Sequence, residues 1–180
     1  MKVLQGKFIC LRAPEPEDLE LLYQWENNTE IWQLGNTLTP FSRYMLKQFI
    51  ESATQDIYEV KQTRFMIDLV PADDNKKTIG TIDMFDFDPY NCRAGIGILI
   101  ADTAERGKGY AGDALDTLIR YAFGILNLHQ LFCNVSTVNL TSLNLFKSKG
   151  FVVIGEKKDW IRNTNGWIGE YSLQLINPGD

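Results

Sequence analysis

The sequence predicts a mixed α/β fold: a twisted mixed sheet of about seven strands flanked by about four helices. Three observations carry this expectation. Segments with strand-like and helix-like patterns alternate along the chain. No internal repeat or low-complexity linker divides it, so the 180 residues are expected to form one domain, 1–180. Hydrophobic residues make up 44% and charged residues 23%, enough apolar material for one continuous core with an ordinary hydrophilic surface.

Near the N-terminus, "KFICLR" reads as a first strand. Pro14 and Pro16 end it, and Glu17-Asp18 supply negative charge at the start of a helix over about 18–27. A second helix is expected from Pro40-Phe41 through "SRYMLKQFIESA". "TRFMIDLV" and "KTIGTIDMF" read as strands joined by the turn-rich "PADDNKK". "RAGIGILIA" is a further strand whose glycines indicate a bulge or a close backbone approach. A helix over about 109–126 places Ala111, Leu115, Leu118, Ala122 and Ile125 on one face. "QLFCNVST" is a strand, and "NLTSLNLFKSKGF" a short helix with Asn139 as N-cap, Lys147 and Lys149 in its last turn and Gly150 at C′. Two strands, "FVVIGEKKDWI" and "WIGEYSLQLI", close the chain around the turn "RNTNG".

Composition narrows the function classes. A net charge of -5 argues against general nucleic-acid binding, which needs a clustered basic surface, and is compatible with a cationic substrate. No apolar run approaches the roughly 20 residues that span a bilayer. The N-terminal "MKVLQGKFICLR" lacks a signal-peptide pattern, so a cytoplasmic protein without membrane partners is expected. Cys10, Cys92 and Cys133 form no C-x-x-C and read as reduced thiols. With one histidine, His129, and no Cys/His cluster, no metal site is expected.

The candidate site centres on "ADTAERGKGYAGDAL". Between a strand and a helix, its glycines let backbone N–H groups converge, and the helix N-terminus adds partial positive charge beside Arg106 and Lys108. Such a loop suits a phosphate. Parsed as G-x-G-x-x-G from Gly107 to Gly112, it fails as a dinucleotide fingerprint. The next strand ends "NVSTV" without a carboxylate, and too few residues remain for a second nucleotide-binding half. Walker A and kinase signatures are absent. The remaining parse is [QR]-x-x-G-x-[GA], running Arg106, Gly107, Lys108, Gly109, Tyr110, Ala111, with Gly112 incidental to the helix composition.

That loop resembles the pyrophosphate loop of the GNAT superfamily of acyl-CoA-dependent N-acyltransferases. A second segment, Asn139-x-x-Ser142-x-x-Leu145-Phe146-x-x-x-Gly150-Phe151, resembles the superfamily's "N-x-x-S-x-x-L-Y-x-x-x-G-F". "YAFGILNLHQLF" and "RNTNGWIGEYSL" are similar to bacterial spermidine acetyltransferases, and the likeness spans about residues 8–176. The resemblance implies a splayed pair of parallel strands, "GIGILIA" and "FCNVST", opening a slot for the pantetheine arm of acetyl-CoA. Backbone groups of Ile98, Leu99 and Ile100 would line the arm, residues 106–111 would take the pyrophosphate, and Asn139, Ser142, Phe146 and Lys149 would flank the cofactor. A primary amine would attack the thioester directly. The likeness implies a polyamine such as spermidine as the acceptor. A peptide N-terminus, as in ribosomal-protein acetyltransferases, and a non-catalytic acyl-CoA or polyamine sensor are the alternatives, and a homo-oligomer is possible.

The chain departs from the pattern where protons move. Phe146 stands where the family usually has a tyrosine general acid, and Ala94-Gly95-Ile96 replaces a stretch with a glutamate. The catalytic acid and base therefore stay unassigned. Asp83 and Asp86, beside Asp88 at a strand end, are candidates for accepting a proton or holding an ammonium. Trp25, Glu30 and Trp32, in the first-helix region with Tyr23 and Glu26, are candidate acceptor contacts through aromatic faces and charge. His129 reads as structural and Cys133 as a small buried hydrophobe.

Overall fold

The alternating apolar segments assemble, in a computed structural model describing residues 3–35, 38–52, 56–70, 77–164 and 166–179, into one seven-stranded sheet. Its strands are β1 (Ile9–Arg12), β2 (Thr63–Leu69), β3 (Thr78–Asp88), β4 (Arg93–Ile100), β5 (Gln130–Ser136), β6 (Val152–Asn163) and β7 (Gly166–Ile176), in the order β1-β2-β3-β4-β5-β7-β6. Neighbours are antiparallel except β4 and β5, the parallel pair that forces a crossover through a helix.

The helices are α1 (Leu19–Glu26), α2 (Thr29–Gly35), α3 (Arg43–Ser52), α4 (Ile57–Val60), α5 (Tyr110–Gly124) and α6 (Leu140–Ser148). α2 and α4 add to the four expected. Seven and four residues long, they are too short to show a helical period in sequence. The second expected helix starts later than Pro40, because Ser42 accepts a hydrogen bond from the Met45 amide and caps α3. A 3-10 turn, Pro16–Asp18, precedes α1. Most of "PADDNKK" and Asn165 of "RNTNG" lie outside the described residues.

Strand alternation sorts the side chains onto two faces. One face packs Phe65, Ile67, Ile82, Met84, Ala94, Ile96, Leu131, Cys133, Val135 and Leu173 against Leu115, Leu118 and Ala122 of α5 and Leu143 and Phe146 of α6. The opposite face is covered over β2 by Leu22 of α1 and Leu46 and Ile50 of α3, which close on Met66. Of the expected stripe on α5, Leu115, Leu118 and Ala122 are buried and Ala111 is half-buried, with Ala114 and Thr117 buried beside them. Ile125 is 53% exposed because the helix ends at Gly124.

Two polar devices fix the start of the chain. Arg12 donates to Asp18 through both terminal nitrogens, 2.6 and 2.8 Å, and to Asp68 through Nε, 2.7 Å. Hydrogen bonding to Arg12 and the Glu15 amide outweighs burial, the largest single influence, and holds the Asp18 carboxyl below the usual range. Asp113, in the first turn of α5, accepts from the amides of Lys7, Phe8 and Ile9. Gly6 permits this approach, since a Cβ there would meet the Asp113 carboxylate.

Candidate active site

The central feature is a gap in the sheet. β4 and β5 pair only at Arg93–Gln130, Ala94–Leu131 and Gly95–Phe132. Beyond Gly95, β4 runs on to Ile100 paired with β3 alone, while β5 runs on to Ser136 paired with β7 alone. The backbone of Ile96 to Ile100 thus keeps a sheet edge facing β5 that no strand covers. Ile98, Leu99 and Ile100 all lie on this stretch and are half-buried.

β4 leads into the glycine loop. Thr103–Glu105 forms a 3-10 turn capped by Asp102, whose side chain accepts from the Ala104 amide. Gly107 and Gly109 take φ of 76° and 87°, the left-handed region that glycine enters without steric cost. A Cβ on either would meet nothing within 4 Å, so both backbones border open space. Gly109 is the N-cap of α5 and offers no side-chain cap, which leaves the amides of Tyr110, Ala111 and Gly112 without helical partners. Such a turn can hold an anion.

The cations beside it are tethered. Arg106 turns back, its Nε donating to the Ile100 carbonyl at 2.8 Å, and so ties the loop to the end of β4. Lys108 and Lys77 both pair with Glu105, at 2.7 and 2.6 Å. Their hydrogen bonds, Lys108 first, hold the Glu105 carboxyl below its usual range. Tyr110 is half-buried and packs edge-on to Phe8.

α6 follows β5, the strand on the other side of the gap. Asn139 is its N-cap, accepting from the Ser142 amide at 3.1 Å. At its C-terminus the Phe151 amide bonds the Phe146 carbonyl and the Gly150 amide bonds the Lys147 carbonyl, with Gly150 at φ 89°. This is a Schellman motif, and its usual apolar contact is supplied by Phe146 against Phe151, ring centroids 5.1 Å apart. Phe146, 4% exposed, therefore closes the helix and packs in the core. Lys149 reaches across to Asp116 of α5, 2.5 Å, passing directly over Gly112. A Cβ on Gly112 would lie 3.3 Å from Lys149 Cε. Gly112 therefore leaves the Lys149 side chain its closest path to Asp116, and a larger residue there would make it shift by a few tenths of an ångström.

Phe146→Tyr should lower stability by about 1 kcal/mol, because its hydroxyl enters a packed apolar site. It should leave acetyl-CoA affinity within a few-fold. Denaturant melts and a titration with acetyl-CoA check both; a large loss of affinity would place the ring in the cofactor wall instead.

A pocket of about 150 Å³ opens on the sheet face opposite α5, lined by Phe49, Ser52, Val60, Gln62, Thr63, Arg64, Asp83, Met84 and Phe85. Cross-strand register puts Arg64 beside Asp83, and Phe85 beside Gly95. Arg64 holds Asp83 through Nε and Nη2, 2.7 and 3.0 Å, and Glu26 of α1 through Nη1, 2.5 Å. Its guanidinium also lies 5.1 Å from the Phe49 ring. Despite the opposing influence of burial, the two carboxylates raise its pKa. Phe85 connects the pocket to the gap. A Cβ on Gly95 would lie 2.6 Å from the Phe85 Cζ, and the ring also meets Phe132 of β5 edge-on at 6.0 Å.

The aspartates at the end of β3 separate into different roles. Asp83 pairs with Arg64. Asp86 is exposed at a bulge with φ 48°. Asp88 holds the turn through Asn91 and Arg93. Trp25 packs with the Leu22–Met66 cluster, Trp32 donates to the Glu26 carbonyl, and Glu30 is exposed; none of the three lines the pocket. His129 donates its amide to the Cys92 carbonyl. Burial pushes the Cys133 thiol up to about 12, fitting a packing role. Among the described residues no cluster of three metal-ligating side chains occurs. Arg64, Phe49 and Phe85 are not among the residues expected from sequence. A charged residue inside apolar "TRFMIDL" is the available signal for the first; the other two depend on register and packing.

The profile of the acetyltransferase (GNAT) domain family matches residues 9–152. The chain belongs to the GNAT acetyltransferase family. It is accordingly an acetyl-CoA-dependent acyltransferase, and the gap between β4 and β5 lies inside the matched region. An N-acetyltransferase named p20, from Bacillus licheniformis, is 29% identical over 98% of this chain and 97% of its own length. The spermidine N(1)-acetyltransferase of Vibrio cholerae is 27% identical, covering 82% of this chain and 80% of the relative. The crystal structure of a Vibrio cholerae spermidine N-acetyltransferase with CoA and spermine has the same fold, with a TM-score of 0.82 and 23% identity over 93% of this chain and 95% of that one. No helix among the described residues of this GNAT protein is long and apolar enough to cross a membrane.

Proposed function

We propose that this protein, as a single domain over 1–180 in the cytoplasm, transfers the acetyl group of acetyl-CoA to the nitrogen of a primary amine that enters through the Phe85 pocket. The observation that supports this most is the parting of β4 from β5 after Gly95. It leaves an unpaired backbone edge between the glycine loop, reached through Ile100 and Arg106, and the pocket, reached through Phe85. The loop and edge fit the cofactor: the amides around Gly109 suit a pyrophosphate, and β4 edge groups suit an extended amide-containing arm. When bound, acetyl-CoA supplies an acetyl carbonyl activated as a thioester. The chain's part is to align the amine with that carbonyl, offer a β4 amide to its oxygen and exclude water from the gap.

With no tyrosine at 146 and no carboxylate at 95, we assign no side chain as proton donor to the departing thiolate. A thiol's pKa of about 8.5 makes that group a good leaving group without one. A polyamine is the acceptor that the likeness to spermidine acetyltransferases suggests, and a peptide N-terminus is the other class to test. Thiol release from acetyl-CoA, screened against spermidine, simple amines and short peptides, tests the proposal. At least one primary amine should accelerate release well above hydrolysis. Tight acetyl-CoA binding with no acceleration by any amine would favour a binding-only sensor.

A further inference from the structure

Resting on the reading that acetyl transfer takes place where β4 and β5 part, the pocket bears on which amine is taken. An attacking amine must be neutral, so a base must relieve the ammonium of its proton unless it arrives without one. Among the described residues, the ionisable groups on this face nearest the pocket are engaged in ion pairs, Asp86 excepted. Asp83 of β3 and Glu26 of α1 share Arg64 of β2, and protonating either would break an ion pair inside the pocket. Glu170 of β7, 7% exposed, is held by Lys157 of β6 at 2.9 Å. Asp86 stands exposed at the bulge. The remaining neighbours are neutral: Phe49 and Ser52 from α3, Val60, Gln62 and Thr63 before and within β2, Phe85 from β3, Gly95 and Gly97 from β4, and Phe132 and Asn134 from β5. Position 95, beside the gap, is closed to a carboxylate because the Phe85 ring occupies the space.

We propose that this protein selects its acceptor by basicity, acetylating weakly basic primary amines of the α-amino type, with apolar or neutral bodies, in preference to alkyl ammonium groups such as a lysine side chain or a polyamine. α-Amines have pKa values of about 7.7–8.0 and lysine-type amines about 10.4. Near pH 7.5 roughly a third of the former are neutral against roughly one in 800 of the latter. The stronger base is the better nucleophile and recovers part of this difference, leaving a net preference of at least about tenfold. The step balances without a further reactant. The amine lone pair forms the N–C bond as the C–S bond breaks, and the nitrogen's surplus proton passes through water to the departing thiolate. Phe49, Val60 and Phe85 suit an apolar body, whereas a second ammonium would meet Arg64 and find no unpaired carboxylate among the lining residues.

The test is CoA release from acetyl-CoA between pH 6.5 and 10 with three acceptors: phenylalanine amide, N-acetyl-lysine amide and spermidine. At pH 7.5, kcat/KM for phenylalanine amide should exceed the other two by at least tenfold. The gap should narrow to under threefold near pH 10, as the alkyl amines gain about tenfold per pH unit below their pKa. Spermidine or the lysine amide matching phenylalanine amide at pH 7.5 would overturn the selection while leaving acetyl transfer intact. Silence from all three and from the wider screen of amines and short peptides, with acetyl-CoA still bound, would overturn both. A Phe85→Ala/Gly95→Glu double variant, which places a carboxylate beside the gap, should raise the lysine-amide rate at pH 7.5 at least tenfold. If that variant folds and binds acetyl-CoA with its pH profile unchanged, the proposal fails.

Discussion

Gly109→Val is expected to reduce acetyl-CoA affinity at least a hundredfold while costing the fold no more than about 2 kcal/mol. The two effects separate because of where Gly109 sits. Its φ of 87° puts a non-glycine residue in the left-handed region, and a β-branched side chain tolerates that region poorly. That strain is the main folding cost, since the added Cβ itself meets no protein atom within 4 Å. The same emptiness is the reason for the binding loss. The side chain would stand in the space that the loop amides and the start of α5 face, keeping phosphate oxygens beyond hydrogen-bond reach. Gly109→Ala should fall between, with a smaller obstruction and a similar backbone penalty. Calorimetric titration with acetyl-CoA, paired with thermal melts, reads both quantities. Valine binding acetyl-CoA as tightly as glycine would remove the loop from the cofactor site.

Features governed by neighbouring residues were legible in the sequence. Asn139 as N-cap and Gly150 at C′ are consequences of helix ends that need partners within a few positions. The glycine loop could be placed because strand, turn and helix succeed one another without interruption. The parallel pair and its parting came through family likeness, and the three-residue ladder at 93–95 agrees with it. What stayed hidden depends on contacts between distant segments. Gly112 looks like any helical glycine until Lys149, far along the chain, crosses it to reach Asp116. Gly95 reads as a lost glutamate until the register shows Phe85 occupying the space. Phe146 reads as a lost tyrosine until its ring is found against Phe151, completing the end of α6. In each case the sequence shows a missing group, and packing shows what fills its place.

Arg64→Ala should lower stability by about 3 kcal/mol, a fall of roughly 6–12 °C in Tm for a chain of this size, and raise KM for the acceptor. The arginine side chain is only 20% exposed and gives three of its five N–H groups to Asp83 and Glu26. Removing it leaves two partly buried carboxylates, both held by the same guanidinium, without their shared counter-charge. The loss falls at the lower end of the range for broken buried pairs because solvent reaches all three groups. Arg64→Lys should recover less than half the loss, since one ammonium cannot reproduce a bidentate contact to Asp83 and a further bond to Glu26. Arg64→Ala/Asp83→Ala should be more stable than Arg64→Ala alone, because it removes one of the orphaned charges, and this coupling separates charge from packing against Phe49. Thermal melts of the three variants decide the point. Arg64→Ala melting within a degree of the parent would mean that solvent already screens the triad. Asp83 would then be available to the acceptor amine, and selection by basicity would lose its main support.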